Sequence, residues 1–233
     1  MKNLKDIIQE RLHINKDIGK QNHHYNYNPK TRIELKELID KLIKERGNNA
    51  DLNDIDTSAI TDMHYLFFKS KFNGDISNWD VSNVKDMAYM FYGSEFNGDI
   101  SEWHVSNVKD MAYMFYDSKF TGENVDLSKW DVSNVEDMTG MFEESKFNGD
   151  ISEWDVSNVK CMNSMFWCSS FTGENGDISK WDVSNVEDMR FMFYESLFNG
   201  DISNWNVSNV KDMDAMFYKS PLEKNPPKWY KKK

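Results

Sequence analysis

The chain has 233 residues and a formal net charge of −11, from 39 acidic and 28 basic residues. This charge argues against a general affinity for the nucleic-acid backbone, and it fits either a basic partner or simple solubility. Cys161 and Cys168 are too few for the disulfide framework of a small secreted domain. No segment approaches the ~20 apolar residues of a membrane helix, and no signal peptide is recognisable. We therefore expect a cytoplasmic protein, and a surface location would require a leader ahead of this sequence.

Residues 1–50 differ in composition from the rest and predict a helical cap. Residues 31–46 place apolar side chains at helical spacing, with Pro29 before them and Gly47 after them as start and stop signals. Residues 4–14 predict a second, weaker helix. Because the end of a repeat array leaves one apolar face without a neighbour, we assign this segment to capping the first repeat. A separate functional domain is the alternative.

Residues 51–220 form an array of repeats. Its tryptophans recur at spacings of 24, 27, 24, 27 and 24 residues, at Trp79, Trp103, Trp130, Trp154, Trp181 and Trp205. A worn copy of the unit runs from Ile55 to Phe72, and prolines interrupt the pattern after Ser220. A period of this length is typical of a solenoid. Residues 221–233 are assigned to a basic C-terminal tail whose role is open.

Each unit predicts a strand followed by a short helix and a turn. The alternation Trp79-Asp80-Val81 favours a strand, and Ser82 is a good N-cap for apolar residues that follow at three- and four-residue spacing. The spacing I-x-x-W-x-V-x-x-V fits the leucine-rich-repeat skeleton. Methionine, phenylalanine and tryptophan columns that recur in every unit predict a packed core, in which each indole N–H needs a partner.

The repeated motif WDVSNVxDMxxMFxxSxFNGDIS resembles the BspA-like leucine-rich-repeat family of mycoplasma lipoproteins and bacterial surface proteins. The resemblance covers Ile55 to Ser220. It implies an α/β fold, a right-handed leucine-rich-repeat-like solenoid, here of about seven strand–helix units with an N-terminal helical cap. It also implies adhesion or partner binding, with no catalytic residues to carry over.

Two columns of repeat positions are candidates for partner binding. The first points outward between the inward-facing residues of the predicted strand, which is the customary binding face of a leucine-rich-repeat solenoid. It contains Asp80, His104, Asp131, Asp155, Asp182 and Asn206. Calcium shared by neighbouring aspartates and a plain solvated face are the alternatives to a basic protein partner.

The second column follows a core phenylalanine on the predicted helix. It contains Tyr92, Tyr116, Trp167, Tyr194 and Tyr218, with Phe68 and Glu143 in the other two units. Tyrosine and tryptophan favour interfaces because they bury much area at little entropic cost. Packing against neighbouring helices is the alternative.

No arrangement of residues predicts catalysis, since the five histidines are scattered and no Gly-rich phosphate loop occurs. We expect a non-enzymatic protein-binding solenoid without a cofactor or metal, and without direct binding to nucleic acid or membrane. Two other hypotheses stay open. One is a phage or mobile-element inhibitor whose carboxylates mimic nucleic acid to block a nucleic-acid enzyme, and the other is a bacterial surface adhesin.

Overall fold

The array is built from stacked turns rather than from strands and helices. The computed structural model describes residues 25–123 and 125–231. Within them, the regular elements are one α-helix, α1 (Arg32–Arg46), and a 3-10 helix at Pro221–Glu223. Among these residues, the bridges between successive units are isolated and parallel, and no sheet forms. The predicted leucine-rich-repeat-like solenoid of strand–helix units is therefore wrong.

Two bridges lie near the N-terminal end, between Tyr27 and Ile55 and between Asp51 and Asp75, and the others lie at one position of each unit, which is not in the predicted strand. These others pair, in sequence, Asp62, Asp86, Asp110, Asp137, Cys161, Asp188 and Asp212. At the first of them, the N–H of Met63 donates to the carbonyl of Asp86 at 2.8 Å, and the N–H of Lys85 donates to the carbonyl of Thr61 at 2.8 Å. The same two bonds recur between later units, so the units stack in parallel and in register.

The predicted helix is replaced by overlapping turns. In the first unit, the N–H groups of Leu66 and Phe68 bond within the unit, each to the carbonyl three residues earlier. The intervening N–H groups of Tyr65 and Phe67 bond instead to carbonyls of the next unit, at 3.1 and 2.9 Å. A helix as short as the predicted one is marginally stable by itself. Hydrogen bonds from alternate N–H groups to the next unit therefore replace the hydrogen bonds of a single helix.

Two residues per unit have a left-handed backbone, which an α-helix excludes. In the second unit these are Tyr89 and Gly93, with φ of 58° and 60°. In the third they are Tyr113 and Asp117, with φ of 55° and 46°. A residue with a Cβ in this region costs roughly 1–2 kcal/mol. The stacking contacts must therefore offset a strain that recurs in every unit.

Columns of identical side chains fill the interior, as the sequence predicts. The phenylalanine column that contains Phe67, Phe91 and Phe115 stacks at 5.5 and 5.6 Å between ring centroids. The methionines of both repeat columns are buried, except that Met213 in the last unit is only partly buried. Every tryptophan of the column donates its indole N–H to a carbonyl of the preceding unit, at 2.8–3.2 Å.

Helix α1 packs at the N-terminal end of the array. Thr31 caps its first turn by accepting a hydrogen bond from the N–H of Glu34, and its buried residues Leu35, Ile39 and Leu42 join the core. No helix in the described ranges is long and apolar enough to cross a membrane. The helix predicted at residues 4–14 lies outside the described residues.

The C-terminal segment continues the tryptophan column beyond the predicted end of the array. The indole of Trp229 donates to the carbonyl of Ile202 at 2.9 Å and stacks on Trp205 at 6.4 Å. Tyr230 packs edge-on against Phe217 at 4.9 Å. Sequence reasoning missed this contact, although Trp229 follows Trp205 by the usual 24 residues.

The two ends of the turn ladder present different backbone groups. In the first unit, the carbonyls of Asp62, His64 and Leu66 accept no backbone hydrogen bond from the described residues. In the last unit, the N–H groups of Ala215 and Phe217 donate none to them. A cavity of ≈ 390 Å³ adjoins this last unit.

The left-handed positions predict opposite effects for one substitution at two sites. Ala215 has a φ of 50°, whereas Ala112 is not left-handed. We expect Ala215→Gly to leave the free energy of unfolding unchanged or to raise it by up to about 1 kcal/mol, because strain is relieved. We expect Ala112→Gly to lower it by about 0.5–1 kcal/mol or more. Urea denaturation measures both, and equal losses would contradict the turn structure, since a helix penalises glycine at either site.

Candidate partner-binding surfaces

The acidic column is part of the turn structure. In five of its six members, a side-chain oxygen accepts a hydrogen bond from the backbone N–H two residues later, at 3.0–3.2 Å. These members are Asp80, Asp131, Asp155, Asp182 and Asn206. In Asp131 the same oxygen also accepts the hydroxyl of Ser133, at 2.6 Å. These are Asx turns, which explain why an oxygen acceptor recurs here without any ligand.

The acidic column nevertheless faces solvent. Asp131, Asp155 and Asp182 are exposed, as are His104 and Asn206, and Asp80 is half-buried. The hydrogen bonds from Ser184 hold the pKa of Asp182 below its usual value. The column is therefore negative at neutral pH. Beside it, each asparagine of the S-N-V motif donates a side-chain hydrogen bond to a serine carbonyl of the preceding unit.

The aromatic residues form two adjacent stacked columns, here called the aromatic face. The outer column is the predicted one, with Phe68, Tyr92, Tyr116, Trp167, Tyr194 and Tyr218. Its rings stack at 4.3 Å between Tyr92 and Tyr116, and at 4.9 Å between Tyr194 and Tyr218. The inner column, which sequence reasoning missed, lies three residues earlier in each unit and contains Tyr65, Tyr89, Tyr113 and Phe191. An aromatic residue at this position in three successive units was the available signal.

The rings of the aromatic face are closely stacked, and three of them are exposed while the others are half-buried. Tyr65 and Tyr89 stack at 4.6 Å with ring planes 4° apart. Tyr65, Phe68 and Tyr218 are 39%, 40% and 41% exposed, and they are large hydrophobic residues. The ammonium of Lys69 lies 5.4 Å from the centroid of the Phe68 ring, at a cation–π distance. The face thus already contacts cationic groups.

One unit lacks both rings, because Gly140 and Glu143 occupy its two column positions, and the inner column also lacks a ring at Ser164 and Ala215. The Tyr113 ring lies over Gly140, within 2.4 Å of where a Cβ would be. Glu143 occupies the outer column between Tyr116 and Trp167 and is only 9% exposed. Burial, and secondly the adjacent charge of Glu144, raise the pKa of Glu143 to about 7.

One cluster among the described residues has the donor types for a divalent cation: Asp62, His64 and Asp86. The Nδ1 of His64 lies 2.6 Å from Oδ1 of Asp62 and 3.9 Å from Oδ2 of Asp86. Arg32 approaches Asp62 at 3.5 Å on its other oxygen. These contacts account for the cluster as an ion pair between α1 and the first units.

By its fold, the chain belongs to the class of repeat proteins that are built from stacked turns, here with one short helix at the N-terminal end. The chain belongs to the family described as "Mycoplasma protein of unknown function, DUF285", whose model matches residues 35–126 and 118–229. Comparison with curated proteins and with solved structures found no match.

The Asx turns predict that an oxygen acceptor matters more than a charge in the acidic column. Asp182→Ala should lower the free energy of unfolding by about 1 kcal/mol at pH 7, because the N–H of Ser184 loses its acceptor. Asp182→Asn should cost less, since Asn206 makes the same turn. The charge contribution of Asp182 is present above the unfolded aspartate pKa and is lost as pH falls through the lowered folded pKa. Unfolding curves at pH 7 and pH 3 test this, and equal losses in both variants at pH 7 would contradict it.

The buried Glu143 predicts a stability loss at high pH. Because its folded pKa is raised, its contribution is complete below the unfolded glutamate pKa and is lost as pH rises through about 7. Glu143→Gln should therefore raise the free energy of unfolding by roughly 1–3 kcal/mol at pH 8, and by less at pH 5. Glu144→Gln, at an exposed neighbour, is the control and should change it less. A pH-independent effect of Glu143→Gln would contradict this assignment.

Proposed function

We propose that this chain is a non-enzymatic protein-binding repeat protein whose principal contact surface is the aromatic face. The observation that carries the proposal is the stacking of partly exposed aromatic rings in two neighbouring columns at the surface. Pre-stacked tyrosines lose little side-chain entropy on binding and provide amphipathic contact area. Each ring stands on backbone that is bonded to the adjacent unit, so the surface is preorganised.

The acidic column supports a secondary role in this proposal. Its regular recurrence is explained by the Asx turns alone, so recurrence is no argument for a ligand there. Its exposed charge would instead speed encounter with a basic partner and make association salt-dependent. The partner proposed is therefore a protein with a basic surface.

The identity of the partner separates the remaining hypotheses. The BspA-like resemblance of the motif supports the adhesin hypothesis, with a host-surface protein as the partner. The nucleic-acid mimic would act inside the cell on a nucleic-acid enzyme, through the acidic column. A cytoplasmic location is expected for the nucleic-acid mimic, and for the protein-binding repeat protein if its partner lies inside the cell.

The proposal is tested by affinity capture with two matched variants. The aromatic variant carries Phe68→Ser, Tyr92→Ser and Tyr116→Ser. The acidic variant carries asparagine at Asp80, Asp131, Asp155 and Asp182. Each is used at low and high salt against a lysate of the source organism and against surface proteins of candidate host cells, after unfolding curves have shown that both variants are folded.

We expect the aromatic variant to lose its partner and the acidic variant to keep it. High salt should weaken partner binding by wild type, and it should weaken binding by the acidic variant less. Retention of every partner by the aromatic variant would overturn the proposal. Loss in the acidic variant alone, with a nucleic-acid enzyme as the partner, would establish the mimic instead.

A further inference from the structure

The turn ladder ends on a row of backbone N–H donors, at Met213, Ala215 and Phe217. In every preceding unit the equivalent N–H groups donate to carbonyls of the next unit, as Phe191 donates to Asp214 at 3.0 Å. In the last unit these three N–H groups donate to no backbone carbonyl of the described residues. A backbone donor without an acceptor is costly once it is shielded from water. The end of the ladder therefore favours a ligand that supplies acceptors.

The next position of the same row shows which group fits there. The N–H of Lys219 donates to Oε2 of Glu223 at 2.9 Å. In the preceding unit the equivalent N–H, that of Glu195, donates to the carbonyl of Tyr218 at 2.7 Å. An oxygen of the C-terminal segment thus takes the place of the carbonyl that a further unit would supply. The donor row accepts an oxygen from outside the repeats, and it does so at one of its four positions.

The C-terminal segment covers the core of the last unit but leaves a cavity beside the donor row. Trp229 stacks on Trp205, and Tyr230 packs against Phe217, so these two residues occupy the core positions of a further unit. The cavity of ≈ 390 Å³ is lined by Met213, Ala215 and Phe217 of the last unit and by Glu223, Pro226 and Tyr230 of the C-terminal segment. A complete further unit would have to displace Trp229 and Tyr230. The cavity as it stands suits a segment that brings backbone acceptors and no core.

We propose that this cavity, here called the end slot, binds a short peptide segment of a protein partner through backbone hydrogen bonds. Carbonyls of the peptide accept from the N–H groups of Met213, Ala215 and Phe217. A peptide N–H donates to the carbonyl of Lys211, as the N–H of Lys211 itself donates to Glu187 at 2.8 Å. The inference goes beyond the aromatic face, because recognition here uses the backbone at the end of the ladder.

The row of acceptors distinguishes a peptide from a small anion. In the preceding pair of units the three acceptors are the carbonyls of Asp212, Asp214 and Met216, which lie two residues apart. A single phosphate or carboxylate has no such row of acceptors. The residue between the second and third acceptors is left-handed, with a φ of 50° at Ala215, so the peptide favours glycine at that position.

The charges of the end slot narrow the choice of peptide. Asp214 and Glu223 line it together with Lys231, so its walls carry two negative charges and one positive charge. A neutral or basic segment is therefore preferred to an acidic one. The apolar surface of Phe217 and Tyr230 provides contact area for small side chains beside the hydrogen bonds.

The end slot is tested with synthetic peptides. The probe acetyl-Lys-Asp-Ala-Ala-Gly-Ala-Lys-amide copies the acceptor positions of residues 85–91, with glycine at the left-handed position. A second probe carries an N-methyl group on its first lysine, which removes the donor to Lys211. A third carries sarcosine in place of glycine, at an N–H that in the array points to the following unit, as Tyr89 bonds to Ala112. Inorganic phosphate is the anion control.

Hydrogen exchange of the free protein tests the open donor row. We expect the amides of Met213 and Ala215 to exchange at least about tenfold faster than those of Met189 and Phe191, relative to their intrinsic rates. The comparison is internal, because the latter two residues occupy the same positions one unit earlier. Equal protection would overturn the proposal, since the chain itself would then fill the row.

Amide NMR titrations test binding in wild type, Tyr230→Ser and Tyr92→Ser. We expect saturable shifts at residues 213–217 with the first probe, and slower exchange of the Met213 and Ala215 amides. The lysine N-methyl probe should bind wild type about fivefold or more weakly, and the sarcosine probe should stay within about twofold of the first. Tyr230→Ser should weaken binding by about threefold or more, whereas Tyr92→Ser, at a distant unit, should leave it unchanged.

Three results would overturn the end slot: no saturable shift, equal binding of the two N-methylated probes, or tighter binding of phosphate than of the peptide. The comparison of probes uses wild type alone, so it holds even if Tyr230→Ser does not fold. Concentration-dependent dimers in sedimentation, with the same amides protected, would replace the peptide by a second copy of this chain. None of these results bears on the aromatic face, which is decided by partner capture with the serine variants.

Discussion

The exchange of backbone hydrogen bonds between adjacent units determines the rest of this structure. Alternate N–H groups of each turn segment bond to the next unit, as Tyr65 bonds to Ala88, and the intervening ones close local turns. This alternation fixes the register, so equivalent side chains of successive units lie directly above one another. Because of this register, the same backbone arrangement stacks the phenylalanines in the core and the tyrosines at the surface. It also imposes the left-handed residues that recur in every unit, because no regular helix can share its N–H groups in this way.

The sequence predicts which residues are buried better than it predicts how the backbone bonds. Apolar spacing correctly identified the methionine and phenylalanine columns and α1, since burial depends on side-chain chemistry. The same three- and four-residue spacing suggested a helix after Ser82, but it is equally compatible with successive turns. The left-handed φ falls mostly on residues that carry no turn signal, such as Tyr89 and Phe191, and only in some units on glycine or aspartate, as at Gly93 and Asp117. No local pattern therefore distinguished the turn segment from a helix.

The candidate site was predictable in part, for a related reason. The outer aromatic column was found because register places equivalent positions together in any stacked array, whatever its backbone. The role of the acidic column was not found, because an Asx turn involves a backbone N–H whose position depends on the true fold. Glu143 was visible in the sequence as an exception, but its burial beside Gly140 required the structure. In a repeat protein, such an exception within an unchanged ladder is informative, since the scaffold alone does not require it.

The unequal ends of the turn ladder give the molecule a direction. Carbonyl acceptors of Asp62, His64 and Leu66 lie at one end, and N–H donors of Ala215 and Phe217 lie at the other, without backbone partners among the described residues. A further unit would fit either end in only one orientation, with its donors or its acceptors facing the complementary row. The ladder is thus polar in the sense that a filament is polar: a donor end and an acceptor end have hydrogen bonds to exchange, whereas two like ends have none.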